Sequence, residues 1–547
     1  MYLWGAEAFV VGDIHSIEIV FLLLLFFVVV FGALAKKLHT PYPIVLVIGG
    51  LLLSFMPGIP RITLNPDIVF LVVLPPLLYN AAWLTSWREF SYNLVSILFL
   101  AFGLVTFTVV GVSLGVHWFL PGLDWRMGLV LGAVVAPTDA IAAASIASRI
   151  GLPKRIVEIL EGESLLNDAT ALLALEFGIG LLVGGQRPTV MLGIGRLAYL
   201  IVVGVLTGLA FGEIVHQIEH RIDDAPIEIA LSLLTPYVAY LSAEQMHASG
   251  VLAVVVCGLY LTRKSSHFFS PSVRVQAWAV WESMTFVLNG LVFVMIGLQL
   301  PYVLKTIGDH DLPTLTLYAA VFCAFLIVLR LVWVFPGAHL AYLIRRHVLH
   351  QNEATPTAKG LFVLGWTGMR GVISLAAAIS VPQMLANGEP FVQRNVIIFL
   401  TFAVILVTLV LQGLTLPTVI RGLGLAGISI PNQEEHSARK RMAEAALSHL
   451  EQVRSRTDSE EDEAYDDLER HYRRRLATLD HENAPAPEAG DPDFHKKFVA
   501  LSEELLRIER KTAVELRNQR QIGDELLREL EHELDLGELR LQGGRRG

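Results

Sequence analysis

The sequence predicts an all-α polytopic membrane protein with about 13 transmembrane helices, inverted repeats, two broken helices and a helical tail. Three observations predict this class. The mean hydropathy of +0.55, with 54% hydrophobic residues, is too apolar for a chain of 547 residues with a water-facing surface. Charged residues are concentrated at one end of the chain. In two of the apolar segments, helix-breaking proline or glycine stands beside a charged residue.

Charge density divides the chain into two predicted domains. Residues 431–547 hold 20 of the 42 Lys and Arg residues and 28 of the 51 Asp and Glu residues. The change follows the apolar run 396–420. We therefore expect a transmembrane domain over residues 1–430 and a charged helical tail over residues 431–547.

Apolar segments of about 16 to 25 residues are long enough to cross about 30 Å of hydrocarbon as helices. Such segments lie near residues 17–35, 43–57, 67–84, 93–118, 127–147, 158–183, 193–215, 226–243, 249–262, 275–299, 315–344, 360–381 and 396–420.

Basic residues alternate between the loops that join these segments. The loops after odd-numbered spans carry 13 Lys and Arg residues, and the loops after even-numbered spans carry five. Short cytoplasmic loops are enriched in Lys and Arg, and one missed or invented helix would scramble the alternation. We therefore expect a bacterial inner-membrane protein with an extracellular N-terminus and a cytoplasmic tail.

The tail has the composition of charged helices. Residues 437–454 and 493–541 are rich in Ala, Leu, Glu and Arg, and the Pro-rich segment 483–493 is typical of a linker. A solvated helical hairpin is the simpler interpretation, because charged helices are usually surfaces. The leucines between residues 505 and 530 could also pair the helices with each other or with a second subunit.

The sixth span carries the strongest candidate site. Its rise of about 1.5 Å per residue places Asp168 about 15 Å into the bilayer, near the midplane. Ser164 and Asn167 share a face with Asp168, and Glu163 shares the neighbouring face with Asn167. Carboxylate, hydroxyl and amide oxygens are ligands for hard alkali cations. The alternative is a structural ion pair between Asp168 and an Arg, although Glu163 is also available to such an Arg.

Two spans contain helix breakers next to charged residues. Pro137 and Asp139 lie in the fifth span, and Gly368, Arg370 and Gly371 lie in the twelfth. Freed backbone groups are tolerated within a membrane only where they face protein, water or an ion. Breaks seven spans apart are what inverted repeats of about six spans would produce.

Other classes of function have less support in the sequence. Neither a His-Glu-x-x-His zinc-protease motif nor a Gly-x-x-x-x-Gly-Lys phosphate loop occurs, which argues against a membrane enzyme of these classes. Cys257 and Cys323 lie in apolar runs and predict neither a disulfide nor a metal cluster. We expect no cofactor and no nucleic-acid partner. A cation channel or sensor gated by the tail stays open as an alternative.

The sequence resembles the bacterial branch of the monovalent cation:proton antiporter-1 family, which is related to the animal sodium/proton exchangers. The resemblance covers nearly the whole chain. It is carried by these segments: Leu74-Pro75-Pro76-Leu77-Leu78, Ala136-Pro137-Thr138-Asp139, Gly162-Glu163-Ser164-Leu165-Leu166-Asn167-Asp168, Asn289-Gly290-Leu291-Val292-Phe293, Gly368-Met369-Arg370-Gly371 and the tail from Glu509-Arg510-Lys511 onward.

The resemblance implies a role for each residue of the site. Asp168 is the alternating carrier of cation and proton, with Ser164 and Thr138 as cation ligands. The remaining roles are supporting ones: Asp139 offsets helix-end dipoles where the two broken helices cross, and Glu163 forms a buried ion pair with Arg370 that is oriented by Asn167.

The resemblance also implies the activity and the assembly. The expected activity is exchange of Na+ or Li+ for H+ by alternating access, serving Na+ and pH homeostasis. The Asn167-Asp168 pair is typical of electroneutral 1:1 exchange. A homodimer among membrane lipids is expected, and K+/H+ exchange is the main alternative. The roles of Glu176 and Arg330 are left open.

Overall fold

The computed structural model describes most of the predicted transmembrane domain and a small part of the tail. The described residues are 14–56, 64–119, 123–183, 190–222, 224–264, 271–307, 312–351, 355–385, 388, 390–391, 393–427, 440, 444–452 and scattered positions beyond 452.

The described helices follow the order of the predicted spans. Their bounds are α1 Ile14–Lys37, α2 Tyr42–Ser54, α3 Pro66–Leu84, α4 Trp87–Trp118, α5a Trp125–Val135, α5b Ala140–Ile150, α6 Lys154–Val183, α7 Val190–Glu219, α8 Ala225–Gln245, α9 Gly250–Lys264, α10 Pro271–Leu298, α11 Leu312–His347, α12a Ala358–Trp366, α12b Val372–Ser380 and α13 Arg394–Gly422. A short helix that the sequence did not predict, Leu300–Ile307, joins α10 to α11.

The all-α polytopic class is confirmed. Among the described residues, ten helical stretches are long and apolar enough to cross a membrane. Helix α2 has 13 residues, α9 has 15, and α12a and α12b have nine each, so these fall short of a full span on length. The number of 13 spans and the inverted repeats therefore stay predictions.

The two predicted breaks are present and contact each other. Helix α5 is interrupted between Val135 and Ala140, and α12 is interrupted between Trp366 and Val372. The backbone N–H of Asp139 donates to the carbonyl of Met369, with an N–O distance of 2.8 Å. A backbone N–H group left free by the break in α5 is therefore bonded to a carbonyl left free by the break in α12. Backbone polar groups within a membrane need such partners, because no water is available there.

The chain divides by its internal contacts into two units, Met1–Ser429 and Ile430–Gly547. In the second unit, residues 444–452 form a helix, and this segment lies within the predicted helix 437–454. The predicted linker 483–493 and nearly all of the predicted helix 493–541 lie outside the described residues.

Close backbone contact joins α2 to α10. A Cβ atom added at Gly297 would lie against the carbonyl oxygen of Val47 and 2.5 Å from the backbone nitrogen of Leu51. Small residues allow such contact between membrane helices, where dispersion forces contribute much of the association.

We expect Gly297→Ala to destabilise the fold by about 1–3 kcal/mol, because the added methyl group must push two backbones apart. Thermal unfolding of the purified protein in detergent measures the effect. Gly180→Ala in α6 is the matched control, since no heavy atom lies within 4 Å of its added Cβ. Equal melting temperatures for the two variants would contradict the close-packing argument.

Candidate ion-binding site

Asp168 lies beside a cavity of about 290 Å³ that is lined by residues of α3, α5, α6, α10 and α12. Its side chain is buried, with 4% of its surface exposed. The cavity is also lined by Thr138 and Asp139 at the break in α5, and by Ser164 one turn before Asp168 on α6. The structure therefore brings the predicted carrier carboxylate together with both hydroxyls that were predicted as cation ligands.

Most of the remaining cavity wall is apolar, but it includes polar side chains that the sequence did not single out as ligands. On α12b, the Ser374 hydroxyl is buried and makes no hydrogen bond to any described residue. Buried hydroxyls are normally paired, so this one favours an ion or water in the cavity. The one available signal was its position three residues after Gly371. The other polar lining residues are Asn80, Thr85, Glu161, Thr285 and Asn289.

Asn167 connects α6 to the break in α5. Its Nδ2 atom donates to the Thr138 hydroxyl at 2.7 Å and to the Thr138 carbonyl at 3.3 Å. The Thr138 hydroxyl in turn donates to Oε1 of Glu163 at 3.0 Å. A second link is the Ser164 hydroxyl, which accepts from the Ala140 N–H at 3.3 Å. These bonds hold the interrupted part of α5 against the helix that carries Asp168.

The predicted ion pair between Glu163 and Arg370 is wrong. Glu163 instead forms a two-pronged pair with Arg330 of α11, with N–O distances of 2.6 and 2.9 Å. Both side chains are almost fully buried. The prediction failed because Arg330 lies on a helix that has no motif, and the sequence does not show which buried Arg faces Glu163.

Arg370 stabilises the ends of the two broken helices. Its Nε atom donates to the carbonyl of Val135, the last residue of α5a, at 3.1 Å, and Nη1 donates to the carbonyl of Gly368. Its backbone N–H donates to the hydroxyl of Thr408, which lies in a π-helical turn of α13. A guanidinium at a helix C-terminus is favourable, because the carbonyl dipoles are negative there.

Asp139 lies at the opposite ends of the same pair of helices. Its Oδ1 atom accepts from the N–H of Ile141 at 2.8 Å and caps the N-terminus of α5b. A Cβ atom added at Gly371 would lie 2.5 Å from Oδ2, so the carboxylate also packs against the start of α12b. The resemblance implied that Asp139 offsets helix-end dipoles. A carboxylate at two helix N-termini is placed for that role, because the dipoles are positive there.

Glu176 does not belong to this cavity. It pairs with Arg196 of α7 at 3.2 Å, and both side chains are partly exposed. The sequence left the roles of Arg330 and Glu176 open. Arg330 forms a buried pair with Glu163, and Glu176 forms an exposed pair with Arg196.

The three acidic side chains of the site differ in the groups that they contact. Glu163 is paired with a guanidinium, and Asp139 accepts from helix-end backbone. Asp168 makes no hydrogen bond or ion pair to another residue in the part of the chain that the structure describes. A buried carboxylate beside hydroxyl oxygens can take up a hard cation or a proton in exchange for one another.

We expect Arg330→Leu to destabilise the protein by about 3–5 kcal/mol, because it leaves Glu163 buried without its counter-charge. Adding Glu163→Leu should restore part of the loss, and thermal unfolding of single and double variants gives the coupling energy. Arg196→Gln, which breaks an exposed pair, is the control and should cost at most about 1 kcal/mol. Stronger coupling of Glu163 to Arg370 than to Arg330 would contradict the observed pairing.

Comparison with known proteins identifies the family. Residues 22–422 match the family described as sodium/hydrogen exchanger, transmembrane. A Mycobacterium tuberculosis protein named as an uncharacterized Na+/H+ exchanger is 36% identical over 94% of this chain and 94% of its own length. The Na+/H+ antiporter ApNhaP of Aphanothece halophytica is 33% identical over 76% of both chains.

Two further matches extend the comparison. A Bacillus pumilus protein named as a sodium, potassium, lithium and rubidium/H+ antiporter is 33% identical over 69% of this chain and 57% of its own length. The fold is similar to the sodium proton antiporter MjNhaP1 of Methanocaldococcus jannaschii, with a TM-score of 0.59 at 19% identity over 77% of this chain and all of that one. The chain belongs to the sodium/hydrogen exchanger family of membrane transporters.

Proposed function

We propose that the chain exchanges one Na+ for one H+ across the membrane, with Asp168 as the only carrier. The observation that carries this proposal is a buried carboxylate that lines an accessible cavity and has no basic partner among the described residues. Thr138 and Ser164 supply hydroxyl oxygens, and Ser374 adds a third. A dehydrated alkali cation is stabilised by such oxygen ligands together with one negative charge.

The charge balance of the site favours a one-for-one exchange. The charge of Glu163 is compensated by Arg330, and that of Asp139 by the N-termini of α5b and α12b. Among Glu163, Asp139 and Asp168, Asp168 is therefore the one whose charge must be compensated by the transported ion. One site that holds either a proton or a cation moves no net charge in a complete cycle.

The open cavity supports alternating access. Its lining extends along α6 from Asp168 to Glu161, about 10 Å away, and reaches Leu84 and Thr85 at the end of α3. The distribution of basic residues predicts that this end is cytoplasmic. We assign the structure to an inward-facing state, in which Na+ and H+ exchange at Asp168 with the cytoplasm.

The names of the relatives support Na+ but do not restrict the proposal to it. The Aphanothece relative is named for Na+, whereas the Bacillus pumilus relative is named for four alkali cations. Selectivity depends on cavity size and ligand number, so K+/H+ exchange is the competing assignment. Addition of Na+, Li+ and K+ in turn to proteoliposomes with a pH-sensitive dye distinguishes these cations. Stoichiometric H+ counterflow excludes a channel.

We further propose the cellular setting. The chain is a homodimer in a bacterial inner membrane, surrounded by lipid, with its N-terminus outside and its tail in the cytoplasm. Basic residues in the loops after odd-numbered spans support this orientation. In that setting the exchange serves Na+ and pH homeostasis.

We expect Asp168→Asn to abolish exchange while the protein stays folded, because an amide neither releases a proton nor compensates a cation. Dye-monitored H+ movement in proteoliposomes measures the activity, and size-exclusion chromatography checks the fold. Glu161→Gln, in the same cavity but nearer its predicted cytoplasmic end, is the matched control and should retain exchange. Substantial residual antiport in Asp168→Asn would remove Asp168 from the mechanism.

A single ion site predicts how the exchange rate depends on membrane potential and how the apparent Na+ affinity depends on pH. The exchange rate should not change with membrane potential, because each cycle moves no net charge. Below the pKa of Asp168, protons occupy the same oxygens, so apparent Na+ affinity should fall about tenfold per pH unit and level off above that pKa.

Proteoliposomes clamped with K+ and valinomycin measure the voltage dependence, once K+ itself is shown not to be transported. A Na+ titration at each pH measures the competition. A rate that changes steeply with potential would mean that Asp139 or Glu163 also carries protons. The 1:1 assignment from Asn167 would then fail.

A further inference from the structure

A second cavity, of about 220 Å³, lies between α6, α7, α8 and α9. On α6 it is lined by Ala169 and Leu172, and Ala169 directly follows Asp168 in the chain. The lining residues described for this cavity and for the first one do not overlap. The two cavities are therefore separate, and both border the part of α6 around Asp168.

The second cavity is polar at the end away from Asp168. Its lining includes Glu176, Arg196, Glu244 and His247. Glu176 lies eight residues beyond Asp168, about 12 Å further along α6. This is the end that the basic-residue pattern predicts to be extracellular.

An ion pair joins the helix of the ion site to its neighbour at this point. Oε1 of Glu176 on α6 lies 3.2 Å from Nη2 of Arg196 on α7. The Arg196 guanidinium lies over the ring of Tyr199 at 5.7 Å, and the Tyr199 hydroxyl donates to the carbonyl of Met246 at 2.8 Å. Arg196 is thus held to α7 and to the end of α8, whereas Glu176 belongs to the helix that carries Asp168.

We propose that Glu176 and Arg196 close the extracellular entrance to the ion site and open it when α6 moves relative to α7. This inference depends on the proposed function, since it assigns the closed entrance of the same transport pathway. In the present structure the first cavity reaches Asp168, while the ion pair spans α6 and α7 beside the second. When the pair separates, Glu176 and Glu244 face the entrance and attract cations toward Asp168.

The exposure of the pair sets the size of its effect. The side chains of Glu176 and Arg196 are 59% and 45% exposed, so their attraction is weaker than that of a buried pair. An exposed pair shifts a two-state equilibrium by about two- to fivefold. A weak closure suits a transporter, because both states must be visited in every cycle.

The test measures how often the second cavity opens. A reporter cysteine replaces Leu173, which lines this cavity, in a background where Cys257→Ala and Cys323→Ala remove the two native thiols. The probe is a membrane-impermeant maleimide, added to the extracellular side of intact cells. The labelling rate reports the fraction of time for which the entrance is open.

Glu176→Gln and Arg196→Gln should each raise the labelling rate about two- to fivefold. The charge swap, with Glu176→Arg and Arg196→Glu together, should return the rate toward that of the parent, because it restores the pair with its two charges exchanged. The matched control is Glu89→Gln, which breaks an exposed pair with Lys154 near the start of α6 and should leave the rate unchanged.

Unchanged labelling in both single variants, or a charge swap that labels like the single variants, overturns the proposed closure. Arg196→Lys keeps the charge and should label like the parent, so a rise there also counts against it. Exchange by the parent in proteoliposomes is measured separately. Its absence would overturn the proposed function, whereas active exchange with unaltered labelling would overturn the closure alone.

Discussion

The contact between the two broken helices is the constraint on which the rest of the structure depends. Interrupting a helix inside a membrane leaves backbone carbonyls and N–H groups without partners, and each would cost several kcal/mol if it faced lipid. The chain places the two interruptions against each other, so that the N–H of Asp139 bonds to the carbonyl of Met369. Charged side chains then compensate the four helix ends.

The compensation follows the sign of each helix end. Arg370 donates to the carbonyl end of α5a, and Arg330 donates to the Leu364 carbonyl near the end of α12a. Asp139 caps α5b and packs against Gly371, where α12b begins. Opposite charges at helix termini are favourable because the backbone dipoles add along the helix. Charges that are expensive to bury in lipid thus acquire structural partners.

This arrangement gives structural partners to two of the three acidic groups and leaves the third, Asp168, without one among the described residues. Arg330 has two roles, since it also pairs with Glu163 and so fixes that carboxylate. Asn167 and Thr138 extend the network from Glu163 to the break in α5. Asp168 is adjacent to this network but outside its hydrogen bonds. The hydrogen-bonded network thus surrounds one carboxylate that takes no part in it.

The sequence by itself determined the class of the protein and the composition of its site. Apolar length specified the helices, because backbone that faces lipid must satisfy its hydrogen bonds within its own segment, as a helix does. Pro137 and Gly371 located the breaks, and the spacing of Ser164, Asn167 and Asp168 put oxygen ligands on one helix, since residues three and four apart are neighbours. These signals are local, so they can be read along the chain.

Only the tertiary structure decided which distant residues meet. It paired Glu163 with Arg330 rather than Arg370, because partner choice depends on how α11 and α12 rotate against α6. It also placed Ser374 in the cavity and paired Arg196 with Glu176. Local periodicity fixes the face of a helix that a residue occupies, whereas helix packing fixes what that face contacts.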